Sequence, residues 1–237
     1  MTWSILARDP ETGAFGAAVA TKFFAVGALC IHAASGVGAL ATQALINPIY
    51  GPRGLALLKE GVPAAEVVGG LTGEDAGRDH RQLHVIDAGG GLGVHTGSAC
   101  VEWCGALSEG GVSCAGNMLA GPAVLERTLS RYREAASLPF AQRLIAALLA
   151  GEAAGGDKRG RQSAALRIHG REEYPDLDLR VDDHADPLAE LARLEAVSRE
   201  RFVHFRRFLP TRERPAGIYD RNVIEAEIAR MLAAERA

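Results

Sequence analysis

The sequence predicts an α+β fold: a four-layer αββα sandwich in which two mainly antiparallel sheets lie between helices. Strand-like and helix-like stretches arrive in blocks rather than in strict alternation, which favours sheets built from hairpins over a doubly wound parallel sheet. The early strands are apolar on both faces, as strands are when one face meets a second sheet and the other meets helices. Charge is also uneven. Residues 1–50 hold four charged side chains (Arg8, Asp9, Glu11 and Lys22), and residues 190–237 hold eighteen. The N-terminal part therefore reads as core and the C-terminal part as exposed helix. Residues 1–185 are expected to form the αββα domain, and residues 186–237 a helical extension.

Each element has a local reason. TWSILA and GAFGAAVAT flank DPETG, a turn carrying Pro and Gly, and form a first hairpin. AVGALCIHAA and GVGALATQAL are apolar runs separated around Ser35 and Gly36, too short and Gly-rich for good helices, and read as buried strands. NPIYGPRGLALLKEG breaks the sheet and starts a helix near Arg53 that ends at Gly61, and PAAEVVGGLTG adds a second short helix. QLHVIDA and GLGVHTG form another hairpin around Gly89, Gly90 and Gly91, and VSCAGNMLAGP is a strand running into a bend. Two amphipathic helices follow, one with Pro122 near its first position and one closed by Gly155 and Gly156. GDKRGRQSAALRIHG leads into a strand, and YPDLDLRVDDH gives one more. Asp186 caps a long helix with Pro187 at its first position and Leu188, Leu191 and Leu194 on one face. LPTRERPAGIYD interrupts, and Asp220 starts a last helix through Ile224, Ile228 and Met231.

Composition narrows the function. At 237 residues, 48% apolar and 23% charged, the chain can bury a sizeable core. No apolar run reaches the roughly 18 to 20 residues that a membrane-spanning helix needs. The first ten residues lack the basic start and apolar core of a secretory signal, so the cytoplasm is the expected compartment. A net charge of −3 gives no pull toward nucleic acid or anionic lipid. Cys30, Cys100, Cys104 and Cys114 fit neither a disulfide scaffold nor paired zinc knuckles, and read as buried thiols. Asp182, Asp183 and His184 are adjacent, so in a strand they alternate between faces and read as a salt-bridged strand end rather than one ion's ligands. GVGALA at 36–41 matches a dinucleotide fingerprint but follows three apparent strands instead of one, so its glycines read as aids to sheet packing. Arg199, Arg201, Arg206, Arg207, Arg212 and Arg214 alternate with acids and phenylalanines, the pattern of a packed helix with a solvated face or of a subunit contact. No cofactor or metal is called for.

The residue with the most chemistry is the second. If Met1 is removed, Thr2 carries a hydroxyl nucleophile and an α-amine on one residue. Such an amine titrates near a pKa of about 7.7 to 8.0, so it can accept the hydroxyl proton at neutral pH. The competing reading is a strand that merely starts early.

MTWSILARDPETGAFGAAVAT, ATQALINPIYGPRGLALL, GNMLAGP, GGDKRGRQSAAL and LRVDDH together resemble domain of unknown function family 1028, an uncharacterised bacterial and archaeal family grouped with the N-terminal-nucleophile (Ntn) hydrolases. The resemblance covers about residues 1–190 and implies the same αββα architecture. Compared with proteasome-like β subunits of that class, Thr2 takes the place of the nucleophile. Lys22 falls beside it at the end of the second strand, and Thr42 and Gln43 fall where a backbone N–H meets the oxyanion. Asn117 lies near the amine, and Asp157, followed by Ser163, echoes the acid before a late strand. Lys22 stands where that pattern has an acid, and His32 lies near the place of its third-strand lysine. The resemblance thus implies an amidohydrolase acting on a small amide or peptide, with Thr2, Gln43, Asn117 and Asp157 as catalytic residues. Lys22, His32, Thr42, Asn47 and Ser163 would contact the substrate. The alternative is a ligand-binding or scaffold protein of the same fold; a nicotinamide enzyme is a weaker third reading. The apolar anchors of the helical tail, Phe202, Phe205 and Phe208 among them, suggest a homodimer or a larger homo-oligomer.

Overall fold

The structure is a computed structural model that describes residues 2–235, with side chains to residue 234. Two compact units emerge, residues 1–191 and residues 192–237.

In the first unit, β1 (Thr2–Arg8) and β2 (Phe15–Thr21) form the expected hairpin. β3 (Ile31–Ala34) pairs with β4 (Gly38–Ala44), and β5 (Arg81–Asp87) with β6 (Leu92–Thr96). β7 (Gly105–Glu109) pairs with β8 (Val112–Asn117), and β9 (Ser163–His169) with β10 (Leu177–Val181). These make a six-stranded sheet in the order β10-β9-β2-β1-β8-β7 and a four-stranded sheet in the order β3-β4-β5-β6. Every ladder is antiparallel.

The sheets pack face to face: β1 and β2 meet β4, and β8 meets β5. Helices α1 (Tyr50–Lys59) and α2 (Ala64–Gly73) cover the outer face of the smaller sheet, where Leu40, Leu83 and Val85 meet Tyr50, Leu58, Val67 and Leu71. Helices α3 (Ala123–Glu134) and α4 (Phe140–Ala153) cover the larger sheet, against which Trp3 is fully buried. The result is the αββα sandwich.

Two local differences from the sequence reading have physical causes. The third run does not begin a strand at Ala25. Ala25 is left-handed (φ 51°), Val26–Ala28 is a 3-10 turn, and β3 begins only at Ile31. The amide of Val26 donates to the Ser163 hydroxyl (3.2 Å), which pins the turn to β9. β7 escapes a pattern reading because GALSE is short and opens on glycine, and it forms an edge of the larger sheet. GVGALA turns from β3 directly into β4 with no helix after it, and a Cβ on Gly38 would stand 2.3 Å from the Ile86 carbonyl oxygen. That close approach explains the glycine and removes the dinucleotide reading.

α5 (Pro187–Glu200) is capped as expected: the Ala189 amide donates to Asp186 Oδ1 (3.1 Å). The second unit holds α6 (Phe202–Phe205) and α7 (Arg221–Glu235), the latter capped by Asp220. Phe208, Ile224 and Ile228 are buried there against Phe205, Ile218, Met231 and Leu232, so most of the tail's apolar anchors pack on one another. Among the described residues no helix is long and apolar enough to cross a membrane.

Candidate active site

Strand register builds the site. In the larger sheet Thr2 sits opposite Thr21 on one side and Asn117 on the other, and Thr21 sits opposite Ser163. In the smaller sheet Gln43 sits opposite Gln82, which sits opposite Thr96. Each sheet thus ends in a polar row, and the two rows come together at one end of the interlayer. The rest of the interlayer is apolar, with Leu6, Phe15, Ala17, Val19, Ile31, Ala41 and Ile86 in a single buried cluster.

The polar end is joined by a continuous set of hydrogen bonds. The Ser108 hydroxyl donates to Ser113 Oγ (3.0 Å), and Ser113 Oγ meets His84 Nδ1 at 2.9 Å. His84 Nε2 meets Ser4 Oγ at 2.8 Å, and the Ser4 hydroxyl donates to Gln43 Oε1 (2.8 Å). Gln43 Nε2 donates to Gln82 Oε1 (2.8 Å), which also accepts from Asn117 Nδ2 (3.2 Å). Gln82 Nε2 closes the set on the carbonyls of Gly105 and Gly116. Because the Ser4 hydroxyl proton is committed to Gln43, His84 must carry its proton on Nε2 and accept at Nδ1. Burial lowers the His84 pKa to about 3, so the ring is neutral.

At this end lies a cavity of about 480 Å³, lined by Thr2, Thr42, Gln43, Asn117, Cys30, Cys100, His80 and Arg159 among polar and sulfur-bearing residues. Phe23, Val26, Leu29, Leu45, Ile46, Val101 and Met118 supply the apolar wall. Among the described residues, the non-glycine positions with left-handed backbone are Ala25, Ala44 (φ 70°) and Met118 (φ 55°). Ala44 and Met118 line the cavity directly after Gln43 and Asn117, and Ala25 lies between the lining residues Phe23 and Val26. For residues with a Cβ this conformation costs roughly 1–3 kcal/mol each, and such outliers gather where a site demands a particular chain direction.

Four hydroxyl or thiol groups front the cavity, and their surroundings separate them. The Thr42 hydroxyl donates to the Asn47 carbonyl (3.1 Å). Burial pushes the Cys30 and Cys100 thiols up, away from the reactive thiolate. The Thr2 hydroxyl instead lies 3.1 Å from that of Thr21, a partner able to accept as well as donate.

Of the residues singled out from sequence, Thr2, Thr42, Gln43 and Asn117 therefore share the cavity. The others stand elsewhere. Asp157 is buried behind it and accepts from the Lys22 amide (2.8 Å), the Arg159 amide (2.8 Å) and the Arg159 guanidinium (3.2 Å). The Lys22 ammonium reaches the Arg161 carbonyl (3.3 Å) rather than Thr2. The Ser163 hydroxyl donates to the Phe23 carbonyl (2.5 Å), which makes it a latch between β9 and the turn before β3. His32 turns outward onto α1, where Gly51 leaves room for its ring, and its Nε2 meets the Leu29 carbonyl (3.1 Å). Asn47 binds Asp75 (3.1 Å), which also accepts from Tyr50 (2.7 Å) and Arg81 (3.1 Å). The Tyr50 hydroxyl, burial opposing, leads the contacts that hold the Asp75 carboxyl well below the usual carboxylate range. The order of strand residues takes His32 to the outer face of its sheet, since Ile31 and Ala33 point inward.

Ser4, Gln82, His84, Ser113 and Arg159 were not singled out from sequence. The first four carried a signal: each is polar at an inward position of a strand whose opposite face is apolar, and Gln82 and His84 stand two apart, on one face. Asp182, Asp183 and His184 bind three different partners, Arg180, Gln162 and the Asp186 amide. Among the described residues no group of three or more His, Cys, Asp or Glu side chains could hold a metal ion, and the four cysteines are free.

Thr2 thus opens the first strand of an αββα sandwich and lines the cavity at the polar end of its interlayer. Residues 2–191 match the family of unknown function DUF1028. The crystal structure of a Silicibacter pomeroyi protein of that family is similar at a TM-score of 0.86 with 33% identity, covering 92% of this chain and 96% of that one. The chain belongs to the DUF1028 family. Anbu (ancestral beta-subunit) from Yersinia bercovieri matches at 12% identity and a TM-score of 0.37, over 83% of this chain and 94% of that one, too remote to bear on the site. No curated protein matches the chain.

Proposed function

We propose that the protein is an amidohydrolase of the N-terminal-nucleophile type, with Thr2 as nucleophile and a small amide or peptide as substrate. The supporting observation is the placement of Thr2: its hydroxyl pairs with a second hydroxyl at the wall of a cavity that also presents Gln43 and Asn117. Met1 lies outside the described residues, and the mechanism requires the Met1–Thr2 bond to be cleaved.

Thr2 Oγ1 attacks the amide carbonyl carbon while its proton passes to the freed α-amine. The carbonyl oxygen becomes an oxyanion, which donors at Gln43 and Asn117 stabilise. The protonated amine then delivers its proton to the leaving nitrogen as the C–N bond breaks, and water hydrolyses the resulting ester. Asp157 contributes at one remove, by anchoring Arg159 and the start of the segment after β2.

Intact-mass spectrometry of protein made at native expression level, joined to a screen of small amides, tests the reading. We expect loss of Met1 and a hydrolysed amide. Thr2→Ala, which keeps a small second residue so that Met1 is still removed, should abolish turnover, and Asn117→Ala should reduce it by roughly 100- to 1000-fold. Quantitative retention of Met1, or full activity in Thr2→Ala, would exclude the mechanism and leave a ligand-binding protein of the same fold.

A further inference from the structure

The cavity wall is chemically lopsided. Phe23, Leu29, Leu45 and Val101 line it and are also exposed, Phe23 by 54% and Leu45 by 65%, so its apolar surface continues outward at the mouth. Set against this, among the described residues, is a single lining side chain of fixed charge, Arg159. Arg159 lies in the segment between α4 and β9, after Gly155 and Gly156 have ended the helix in left-handed conformations.

Its ion pair with Asp157 is asymmetric. The Asp157 side chain has no exposed surface, while that of Arg159 is 43% exposed. Asp157 is held from three sides by the Lys22 amide, the Arg159 amide and the guanidinium, so the acid is locked in place and in turn fixes the guanidinium at the wall. A sealed anion behind a cation that fronts a cavity presents the positive partner to whatever enters. A guanidinium is a planar fork of five donors that suits a carboxylate, and fixing it in advance lowers the entropic cost of binding one. A volume of about 480 Å³ suits a ligand the size of an acylated amino acid.

We propose that the site selects amides having an apolar arm on one side and a carboxylate on the other, with Arg159 as the specificity-determining residue for the carboxylate. The amide itself rests on the Thr2 reading above; the anion preference does not.

Two probes of matched shape separate the two ideas: N-hexanoyl-L-leucine and its carboxamide, N-hexanoyl-L-leucinamide. Isothermal titration of the Thr2→Ala protein should show the carboxylate binding at least about tenfold tighter, since two anionic oxygens can take both prongs of the guanidinium fork whereas the carboxamide offers it one neutral oxygen. Arg159→Gln should erase that difference, and Arg159→Lys, which keeps the charge but loses the fork, should retain part of it. The melting temperature of each variant without ligand shows whether the segment has come apart. Equal affinity for the two probes, or no saturable binding of either in the millimolar range, overturns the anion assignment. Thr2-dependent cleavage of both probes at equal rates overturns it too, while leaving the hydrolase reading intact. Carboxylate-selective, Arg159-dependent binding without cleavage of either probe by Met1-free protein supports this assignment and overturns the hydrolase reading instead.

Discussion

The interlayer between the two sheets is one space filled in two ways. At one end Leu6, Phe15, Val19, Ile31 and Ile86 pack as an apolar core. At the other, beginning only one inward-facing residue along β1, Ser4, Gln43, Gln82, His84, Ser113 and Asn117 are as deeply buried yet all polar. The apolar end is stabilised by removing surface from water, a contribution of about 25 cal/mol per Å² that depends little on orientation. The polar end gains little net energy from each hydrogen bond, about 1 kcal/mol, but leaving any one of its groups unpaired costs more than the bond supplies. The first end therefore tolerates imprecision, whereas the second specifies an arrangement. Both ends border the cavity, the apolar cluster through Val26 and Cys30 and the polar set through Gln43 and Asn117, but only the polar set fixes the orientation of the groups it presents there.

Substitutions at the two ends should therefore fail differently. The largest effect is expected at Phe15→Ala in the apolar end, with a loss of roughly 3–5 kcal/mol of stability from lost transfer energy plus the cavity left behind. Urea unfolding monitored by circular dichroism reads it, and a loss below 1 kcal/mol would mean that this end repacks freely. Ser4→Ala removes only one oxygen, yet it deprives the His84 Nε2–H of its acceptor and Gln43 Oε1 of a donor. A cost of about 1–3 kcal/mol is expected, out of proportion to the atom removed. Ligand binding should weaken as well, because Gln43 loses the contact that fixes its amide. In Phe15→Ala, by contrast, binding should survive wherever the protein remains folded. Equal loss of binding in the two variants would show that the polar set does not orient the site.

The same comparison explains what could be read from sequence. The αββα architecture was legible because it follows from apolar strands in blocks and from turn chemistry such as DPETG, both local properties. That Thr2, Gln43 and Asn117 meet at one cavity was reachable because family resemblance marks strand ends. The connections behind them were not. Whether His32 faces the cavity or α1 depends on which face of β3 meets the other sheet, and a shift of one residue in where that strand starts reverses the answer. Lys22 and Asp157 lie far apart in sequence and meet through a backbone amide, which leaves no trace in residue identity. Arg159 was hidden by a polar segment full of equally plausible cations, Lys158 and Arg161 beside it.

The smallest expected effect per step is also the most specific to the polar end. His84 is fully buried, its ring nitrogens face the hydroxyls of Ser4 and Ser113, and no charged group contributes to its shift; burial alone lowers its pKa to about 3. The unfolded chain takes up a proton near the ordinary histidine value of about 6.5, whereas the folded protein refuses it. Stability from the neutral ring is thus complete above pH 6.5 and is lost as the pH falls. In that window the unfolded state holds one more proton than the native state, so the loss amounts to about 1.4 kcal/mol per pH unit. His32 and His169 are also lowered, chiefly by burial, and add in the same direction. Urea unfolding between pH 7 and pH 5 should show wild type losing stability more steeply than His84→Asn, by a slope that approaches one proton as the pH nears 5. Parallel curves for the two proteins would mean that His84 accepts a proton inside the fold, and that the hydrogen bonds linking it to Gln43 can reverse.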